Sequence, residues 1–364
     1  MSIEPKGPSG LTGLSERIER SWRTGGPLQW ALRPLGALHA GLVAGRHWLY
    51  RTGWLNSLAA PVPVIVVGNR LVGGAGKTPT ALALVDRLRQ AGWHPGIVSR
   101  GHGSDRADPR PVLAQSHARD VGDEPLLMQR RSGVPVWVGH DRVAAARGLC
   151  AAHPEVDLLV CDDGLQHLRL RRDLEVIVFD ERGAGNGWLL PAGPLREPID
   201  TPSDVPQHVL YNARQPSTAL PGACADRRLS GLLSLEDWWS GRTDRDDALA
   251  ALRLAQSTEA LVLHASAGIG QPERFFDGLR ALGLRIEPIA LPDHHDHATL
   301  PWPAEVRQVV VTEKDAVKLL PSRLHLERPD LRVWVAPLAY TLPEPFVMAL
   351  LQDLDKVVAA RTPR

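Results

Sequence analysis

Two short segments of this 364-residue chain carry residue types that handle phosphate groups. The first runs from Gly73 to Thr78 and reads Gly-Gly-Ala-Gly-Lys-Thr. Its glycines let backbone N–H groups approach phosphate oxygens, its lysine reaches the outer phosphates, and its threonine hydroxyl binds Mg²⁺. The second is the pair Asp162 and Asp163, which ends an apolar segment and could hold Mg²⁺ or its waters. Together they predict a nucleotide site with a metal ion.

The elements around the glycine-rich segment are those that a phosphate loop (P-loop) requires. Val64 to Val67 is β-branched and predicts a buried strand. Apolar residues at helical spacing follow Thr78, at Leu82, Leu84, Val85 and Leu88. The usual motif, G-x-x-x-x-G-K-[ST], would have glycine where this chain has Leu71. The alternative is an accidental Gly-Lys-Thr in a strand-to-helix turn, which the flanking strand and helix disfavour.

The pattern of strands and helices predicts the fold class. Strands alternate with helices up to about residue 215, which indicates a parallel sheet with helices on both faces. Ligands bind beyond the carboxyl ends of such strands. We therefore expect an α/β fold of the P-loop NTPase type, with a mostly parallel sheet and a second, smaller α/β domain. The expected division is an N-terminal region (1–60), a P-loop domain (61–220) and a smaller domain (221–364), whose last helix could pack back on the first domain.

Composition excludes some classes of function. Lys and Arg total 42 against 41 Asp and Glu, so bulk charge gives no reason to expect a nucleic-acid partner. The three cysteines show no metal or redox spacing. Nothing in the pattern indicates an obligate protein partner.

The N-terminal region combines basic residues with tryptophan. Pro34 predicts the start of a helix, and leucines at helical spacing follow at 35, 38, 42 and 49. The apolar stretch is shorter than the roughly 20 residues that a membrane span needs. Two interpretations stay open here. The helix lies in a membrane interface with Trp at headgroup depth, or it packs on the domain core.

Other polar groups lie far along the chain. Arg196 and Glu197 occupy a loop rich in proline and glycine, where an exposed ion pair without a role is the alternative. Residues 292–297 contain three histidines, His294, His295 and His297. Their spacing matches no zinc pattern. One histidine that supports a catalytic carboxylate explains them more simply.

Eight blocks, in this order along the chain, resemble the tetraacyldisaccharide 4′-kinase (lipid A 4′-kinase) family of Gram-negative bacteria. They are Val72–Pro79, Ser99–Gly101, Val121–Pro125, Asp162–His167, Leu189–Pro198, Ala267–Pro272, Pro292–His295 and Thr312–Lys318. The resemblance covers about residues 30–345. It also explains Leu71, because the family uses this shortened glycine loop.

The resemblance implies an activity and a location. The activity is ATP-dependent phosphorylation of the 4′-hydroxyl of tetraacyldisaccharide 1-phosphate, the lipid A disaccharide 1-phosphate, with ATP and Mg²⁺ as cofactors. The location is the cytoplasmic face of the bacterial inner membrane, where the protein would be peripheral or monotopic. The N-terminal helix would contact the inner-membrane lipids.

The resemblance also implies roles for single residues. Asp123 is the base that acts on the sugar hydroxyl, His294 supports it, and Arg196 serves phosphate transfer as the third catalytic residue. The metal is held by Thr78, Asp162, Asp163 and Glu197. The nucleotide is bound by Val72, Gly73, Gly74, Ala75, Gly76, Lys77, Thr78 and Pro79.

The competing hypothesis is a P-loop GTPase or ATPase that acts as a switch or accessory protein. Such a protein would carry a guanine-reading Asn-Lys-x-Asp after a strand. Thr312 to Asp315 resembles that pattern, but Glu313 replaces the asparagine. We therefore favour the kinase.

Overall fold

The computed structural model describes residues 10–242, 246–258 and 261–361. The part of the predicted N-terminal region before residue 10 lies outside the described residues. The described chain has one large sheet, one five-stranded sheet and a two-stranded ribbon. The predicted α/β fold with a large, mostly parallel sheet is confirmed.

The large sheet is built around the strand that precedes the phosphate loop. Its strands are β1 (Val64–Gly68), β2 (Pro95–Ser99), β3 (Arg110–Val112), β4 (Val136–Val138), β5 (Leu158–Asp162), β6 (Leu174–Asp180), β7 (Gln207–Asn212) and β8 (Ala223–Cys224). Their order is β3-β4-β2-β5-β1-β6-β7-β8, and only β3 runs antiparallel to its neighbour. β1, β2, β5 and β6 are buried throughout, because helices cover both faces of the sheet.

Helices flank the sheets and connect the strands. They are α1 (Gly10–Thr24), α2 (Pro27–Arg51), α3 (Lys77–Gln90), α4 (Ala118–Val121), α5 (Asp123–Ser132), α6 (Arg142–Ala152), α7 (Leu235–Trp239), α8 (Asp246–Thr258), α9 (Pro272–Ala281), α10 (Glu313–Ala316), α11 (Pro321–Glu327) and α12 (Glu344–Arg361). Apolar residues of α3 and α5 pack in one core cluster, and those of α6 pack in another.

The second sheet takes its strands from the later part of the chain. They are β10 (Leu233–Ser234), β11 (His264–Ala267), β12 (Glu287–Ala290), β13 (Gln308–Thr312) and β14 (Arg332–Ala336), in the order β10-β14-β13-β11-β12. β9 (Asp226–Leu229) and β15 (Leu338–Thr341) form the ribbon. α12 returns to the first sheet, where Arg361 bonds Asp173 at 2.8 Å and Glu344 pairs with Arg87 at 2.6 Å.

The expected start of the N-terminal helix at Pro34 is wrong. α2 begins at Pro27, whose missing N–H costs nothing in the first turn, and Pro34 lies inside the helix. α2 packs at Gly36, where an added Cβ would lie 3.2 Å from the Leu189 carbonyl oxygen. Its large apolar side chains that are 53–65% exposed are Trp30, Leu35, Leu38, Leu42 and Trp48. None of the described helices has the length and apolarity needed to cross a membrane.

Candidate active site

The glycine-rich segment forms a tight loop between β1 and α3. Gly73 and Gly76 both have a φ of 89°, which favours glycine. A Cβ at Gly76 would lie 2.2 Å from Nδ2 of Asn212, which donates to the Ala75 carbonyl at 3.2 Å. No side chain caps the start of α3, so its first N–H groups can bind an anion. Thr78 and Pro79 lie in this first turn.

One lysine and one arginine side chain connect this loop to its surroundings. Nζ of Lys77 lies 3.5 Å from Oδ1 of Asp163 and 3.3 Å from Oδ1 of Asn69. Arg182 donates to the carbonyl of Val72 at 3.1 Å and to that of Gly74 at 3.3 Å. Arg182 thus holds the loop by its carbonyl groups. The N–H of Val72 donates to the Pro194 carbonyl at 2.9 Å, whereas the first N–H groups of α3 have no capping side chain and remain for a ligand.

The two predicted aspartates lie beside this loop, and their pKa values are shifted in opposite directions. Asp162 ends β5 and is buried, and its Oδ1 has no hydrogen-bond partner. Burial raises the pKa of Asp162 to about 8, and the nearby carboxylates of Glu124 and Asp163 add to the rise. Burial also acts to raise the pKa of Asp163, but Lys77 and Arg196 outweigh it, so this pKa is lowered.

These groups fit a magnesium ion. A buried carboxylate oxygen without a partner, a second carboxylate and a threonine hydroxyl are hard oxygen donors, and Mg²⁺ prefers such ligands. Among the residues that the structure describes, no group of three or more His, Cys, Asp or Glu side chains could hold a metal alone. A cation held by Asp162, Asp163 and the Thr78 hydroxyl would therefore take its remaining ligands from water or from phosphate.

In the structure Arg196 contacts Asp163, whereas Glu197 contacts Gln166 and His47. Nη1 of Arg196 lies 3.3 Å from Oδ1 of Asp163 and 3.3 Å from Oε1 of Gln166. The buried Glu197 carboxylate accepts from Gln166 at 2.9 Å and lies 3.4 Å from Nε2 of His47 on α2. Glu197 thus connects to Asp163 through Gln166 and Arg196.

A carboxylate and a histidine meet across the two sheets. Asp123 is the first residue of α5 and is only 5% exposed. Its Oδ2 lies 3.0 Å from Nδ1 of His294, which comes from the loop after β12. Of the three predicted histidines, His294 contacts Asp123, whereas His297 is buried against Asp315 at 3.1 Å and His295 packs on His297.

In the Asp123–His294 pair the pKa of the carboxyl group is lowered and the pKa of the imidazole is raised. Burial acts to raise the pKa of Asp123, but the hydrogen bond from His294 and the charges of Lys314 and Lys318 outweigh it and hold the pKa well below its usual range. The same hydrogen bond raises the pKa of His294, against its partial burial and the charge of Lys314. Asp123 is therefore a charged, oriented acceptor at neutral pH.

Glu124 and Lys314 connect the Asp123–His294 pair to the residues beside the phosphate loop. Glu124 follows Asp123 on α5, and its charge acts on Asp162, on which Lys77 also acts. Lys314 pairs with Glu124 at 3.3 Å and contacts His294 at 3.2 Å. Glu124 thus links the residues around Asp123 to the aspartates beside the phosphate loop.

Several residues of this site escaped the sequence analysis. They are Asn69, Gln166, Arg182, Lys314 and Lys318. Gln166 and the two lysines lie inside blocks that carried the family resemblance, so their place in those blocks was the available signal. Asn69 follows β1 directly, and Arg182 has no local signal.

The segment that resembled a guanine-reading motif has another task in the structure. The Glu313 carboxylate is buried and bonds Arg131 at 2.5 Å and the indole nitrogen of Trp238 at 3.0 Å. It also accepts from the backbone N–H of Leu338 at 2.9 Å. A side chain so occupied cannot read a base, so the switch GTPase interpretation gains no support.

Fold and site define a kinase of the P-loop class. The family model described as Tetraacyldisaccharide-1-P 4′-kinase matches residues 28–355. The chain belongs to this family, which confirms the resemblance of the eight blocks.

Curated relatives agree with this assignment. A protein of Leptothrix cholodnii named tetraacyldisaccharide 4′-kinase is 67% identical over 341 residues, which are 94% of this chain and 96% of the relative. A protein of the same name from Methylibium petroleiphilum is 51% identical over 365 residues, covering 100% of this chain and 99% of the relative. Among solved structures, the "apo" form of LpxK from Aquifex aeolicus in complex with ATP is similar. It has a TM-score of 0.71 and 26% identity, over 90% of this chain and 99% of that chain.

Proposed function

We propose that this chain transfers the γ-phosphate of ATP to the 4′-hydroxyl of tetraacyldisaccharide 1-phosphate, a step of lipid A biosynthesis. The observation that carries the proposal is the Asp123–His294 pair, which fixes a charged carboxylate in a chain that also has a phosphate loop. A switch protein has no need of such a pair. Glu124, the neighbour of Asp123, is near enough to Asp162 for its charge to raise the pKa of that residue. The names of the relatives and the ATP in the similar crystal structure support both substrates.

The phosphate loop would bind the nucleotide. Residues 72–79 would surround the phosphates, with the backbone N–H groups of residues 73–78 as donors, because Pro79 has no N–H and the N–H of Val72 donates to the Pro194 carbonyl. Lys77 would leave Asp163 and bind the outer phosphates. Thr78, Asp162 and Asp163 would hold Mg²⁺. When bound, Mg²⁺ would neutralise charge on the transferring phosphate. The carboxylate oxygens of Glu197 already accept from Gln166 and lie near His47. We therefore propose that Glu197 supports the metal site indirectly, through Gln166 and Arg196.

Asp123 would receive the proton of the sugar hydroxyl. Its carboxylate is ionised at neutral pH and fixed by His294, so it can orient the hydroxyl for attack on the γ-phosphorus. Arg196 would offset negative charge that develops on the transferring phosphate. Asp123 lies on α5 and His294 in the loop after β12, and the two side chains already meet at 3.0 Å, so this arrangement of the two units would exclude water during transfer.

We propose the same division of tasks along the chain. Residues 61–220 would supply the phosphate loop, Mg²⁺ site and base, and residues 221–364 would supply His294. Residues 1–60 would lie on inner-membrane lipids at the cytoplasmic face, as a peripheral or monotopic element. The exposed apolar side chains of α2 support this placement, since a long exposed apolar face marks an interaction surface.

The test is transfer of label from [γ-³²P]ATP to tetraacyldisaccharide 1-phosphate. The wild-type protein should label the lipid, and Lys77→Ala should not. Lys356→Ala is the matched control, because Lys356 is an exposed lysine paired with Asp353 on α12. Wild-type protein that hydrolyses ATP but leaves the lipid unlabelled would refute the proposed function.

A further inference from the structure

The segment from Thr312 to Lys318 contacts α5 along its length. Glu313 bonds Arg131 near the end of α5. Lys314 pairs with Glu124, and Lys318 pairs with Asp123, both at the start of the helix. Neither lysine is assigned a task by the phosphate-transfer scheme above, although both reach the proposed base or its partner.

Lys318 binds the proposed base directly. Its Nζ lies 3.2 Å from Oδ2 of Asp123, and its side chain is only 5% exposed. The same ammonium donates to the His295 carbonyl at 2.9 Å and lies 3.8 Å from Oδ1 of Asp315. These contacts leave Lys318 no freedom to follow a bound phosphate. Its fixed position makes it a second donor, beside His294, that sets the orientation of the carboxylate.

Lys314 acts on the other end of the pair. Its Nζ lies 3.2 Å from Nε2 of His294 and 3.3 Å from Oδ1 of Asp293. An ammonium group donates only, so Nε2 must accept. The imidazole proton is then on Nδ1, where it is donated to Asp123. Lys314 thus selects the tautomer that His294 needs in order to support the carboxylate.

The backbone around His294 also holds this histidine in place beside Asp123. His294 has a φ of 59°, a left-handed conformation that is costly for a non-glycine residue. Its N–H donates to the carbonyl of Gly268 at 3.2 Å. The N–H of Gly268 in turn donates to Oδ2 of Asp315 at 3.0 Å. Asp315 lies between the two lysines in the sequence, so one short segment fixes both the histidine loop and the base.

We propose that Lys314 and Lys318 are positioning residues for phosphate transfer, Lys318 by fixing the Asp123 carboxylate and Lys314 by fixing the tautomer of His294. The proposal rests on the proposed function, because it gives the lysines a task only if Asp123 is the base. The rival assignment is direct binding of a substrate phosphate by either ammonium.

Double-mutant cycles separate positioning from structural damage and from substrate binding. Lys318→Met is measured in the wild-type and Asp123→Ala backgrounds, and Lys314→Met in the wild-type and His294→Ala backgrounds. Lys356→Met is the matched control. The readouts are kcat and KM for ATP and for tetraacyldisaccharide 1-phosphate, with circular dichroism and active-site titration to count folded enzyme.

We expect Lys318→Met to lower kcat by about 10²-fold, as small misplacements of a reacting group do, with both KM values unchanged. The loss should vanish in the Asp123→Ala background, and the loss from Lys314→Met should vanish in the His294→Ala background. If Lys318→Met does not fold, Lys318→Arg and the Lys314 cycle carry the test. Lys318→Arg, which keeps the charge and the donors, should restore most of kcat.

Three results would overturn the proposal. The first is a wild-type kcat in both lysine variants. The second is a loss of kcat from the lysine change that is as large in the Asp123→Ala or His294→Ala background as in the wild type. The third is a raised KM with kcat unchanged. Failure of the proposed function is a different result, since wild-type protein would then transfer no label or Asp123→Ala would remain fully active.

Discussion

Among the Asp–His pairs of the described residues, Asp123–His294 and Asp315–His297 offer a sharp prediction when they are compared. The Asp123–His294 pair is separated by 3.0 Å, with 31% of the histidine side chain exposed. The Asp315–His297 pair is separated by 3.1 Å, with the histidine fully buried. We expect His294→Ala to impair chemistry and His297→Ala to impair folding, although the two residues are three positions apart.

The magnitudes follow from the contacts that each change removes. His294→Ala removes a hydrogen bond to a charged group, worth about 1.5–3 kcal/mol. If this stabilisation is realised in the transition state and not in the ground state, kcat should fall about 10- to 150-fold. His297→Ala leaves Asp315 with Thr312, the Gly268 N–H and a distant Lys318, and should lower the free energy of unfolding by about 1–3 kcal/mol.

The assay combines lipid phosphorylation with thermal unfolding of the same preparations. His294→Ala should keep the wild-type affinity for ATP while kcat falls, and its melting temperature should fall less than that of His297→Ala, because His294 is partly exposed and His297 is fully buried. His297→Ala should melt earlier and keep kcat per folded molecule. The reverse pattern, or equal kinetic losses in both variants, would refute the assignment of His294 as the partner of the base.

Three further changes test other parts of the account. Lys77→Ala should abolish turnover, because the outer phosphates lose their point charge, and an unchanged kcat would count against the loop. Leu38→Glu with Leu42→Glu should release the protein from anionic vesicles in sedimentation, whereas Leu326→Glu, at a site 83% exposed, should not; equal binding by all would remove the membrane role of α2. The pKa of Asp123 is lowered by folding, so its charge stabilises the fold above its unfolded pKa of about 3.9, and this contribution is lost as pH falls. Asp123→Asn should therefore lower the melting temperature at pH 7 and progressively less below about pH 4; a constant difference would contradict this.

The phosphate loop was predictable because its determinants are contiguous. A β-branched strand, glycines with positive φ and the first turn of a helix all lie within residues 64–80, so local rules apply. Asp162 and Asp163 were predictable for a related reason. They end a buried strand, and the carboxyl ends of parallel strands share one edge of the sheet with the loop.

Contacts between distant segments could not be predicted in this way. His294 and Lys318 reach Asp123 over 171 and 195 positions of sequence, and nothing local specifies a meeting across two sheets. The resemblance supplied the pairing of Asp123 with His294 but no task for Lys318. For Pro34 the local rule that proline begins a helix gave a wrong start, because Pro27 already occupies the first turn of α2 and the helix continues through Pro34.

In the proposed function, phosphate transfer by this protein depends most on Asp123 as the base that acts on the acceptor after ATP has bound. Single-turnover transfer from prebound [γ-³²P]ATP to tetraacyldisaccharide 1-phosphate, by Asp123→Asn and by wild type, tests this directly. We expect Asp123→Asn to lower the transfer rate about 10²–10⁴-fold, the usual contribution of a general base, with an unchanged Kd for ATP. A wild-type rate would contradict it, and a collapsed affinity for ATP would make Asp123 part of the nucleotide site instead.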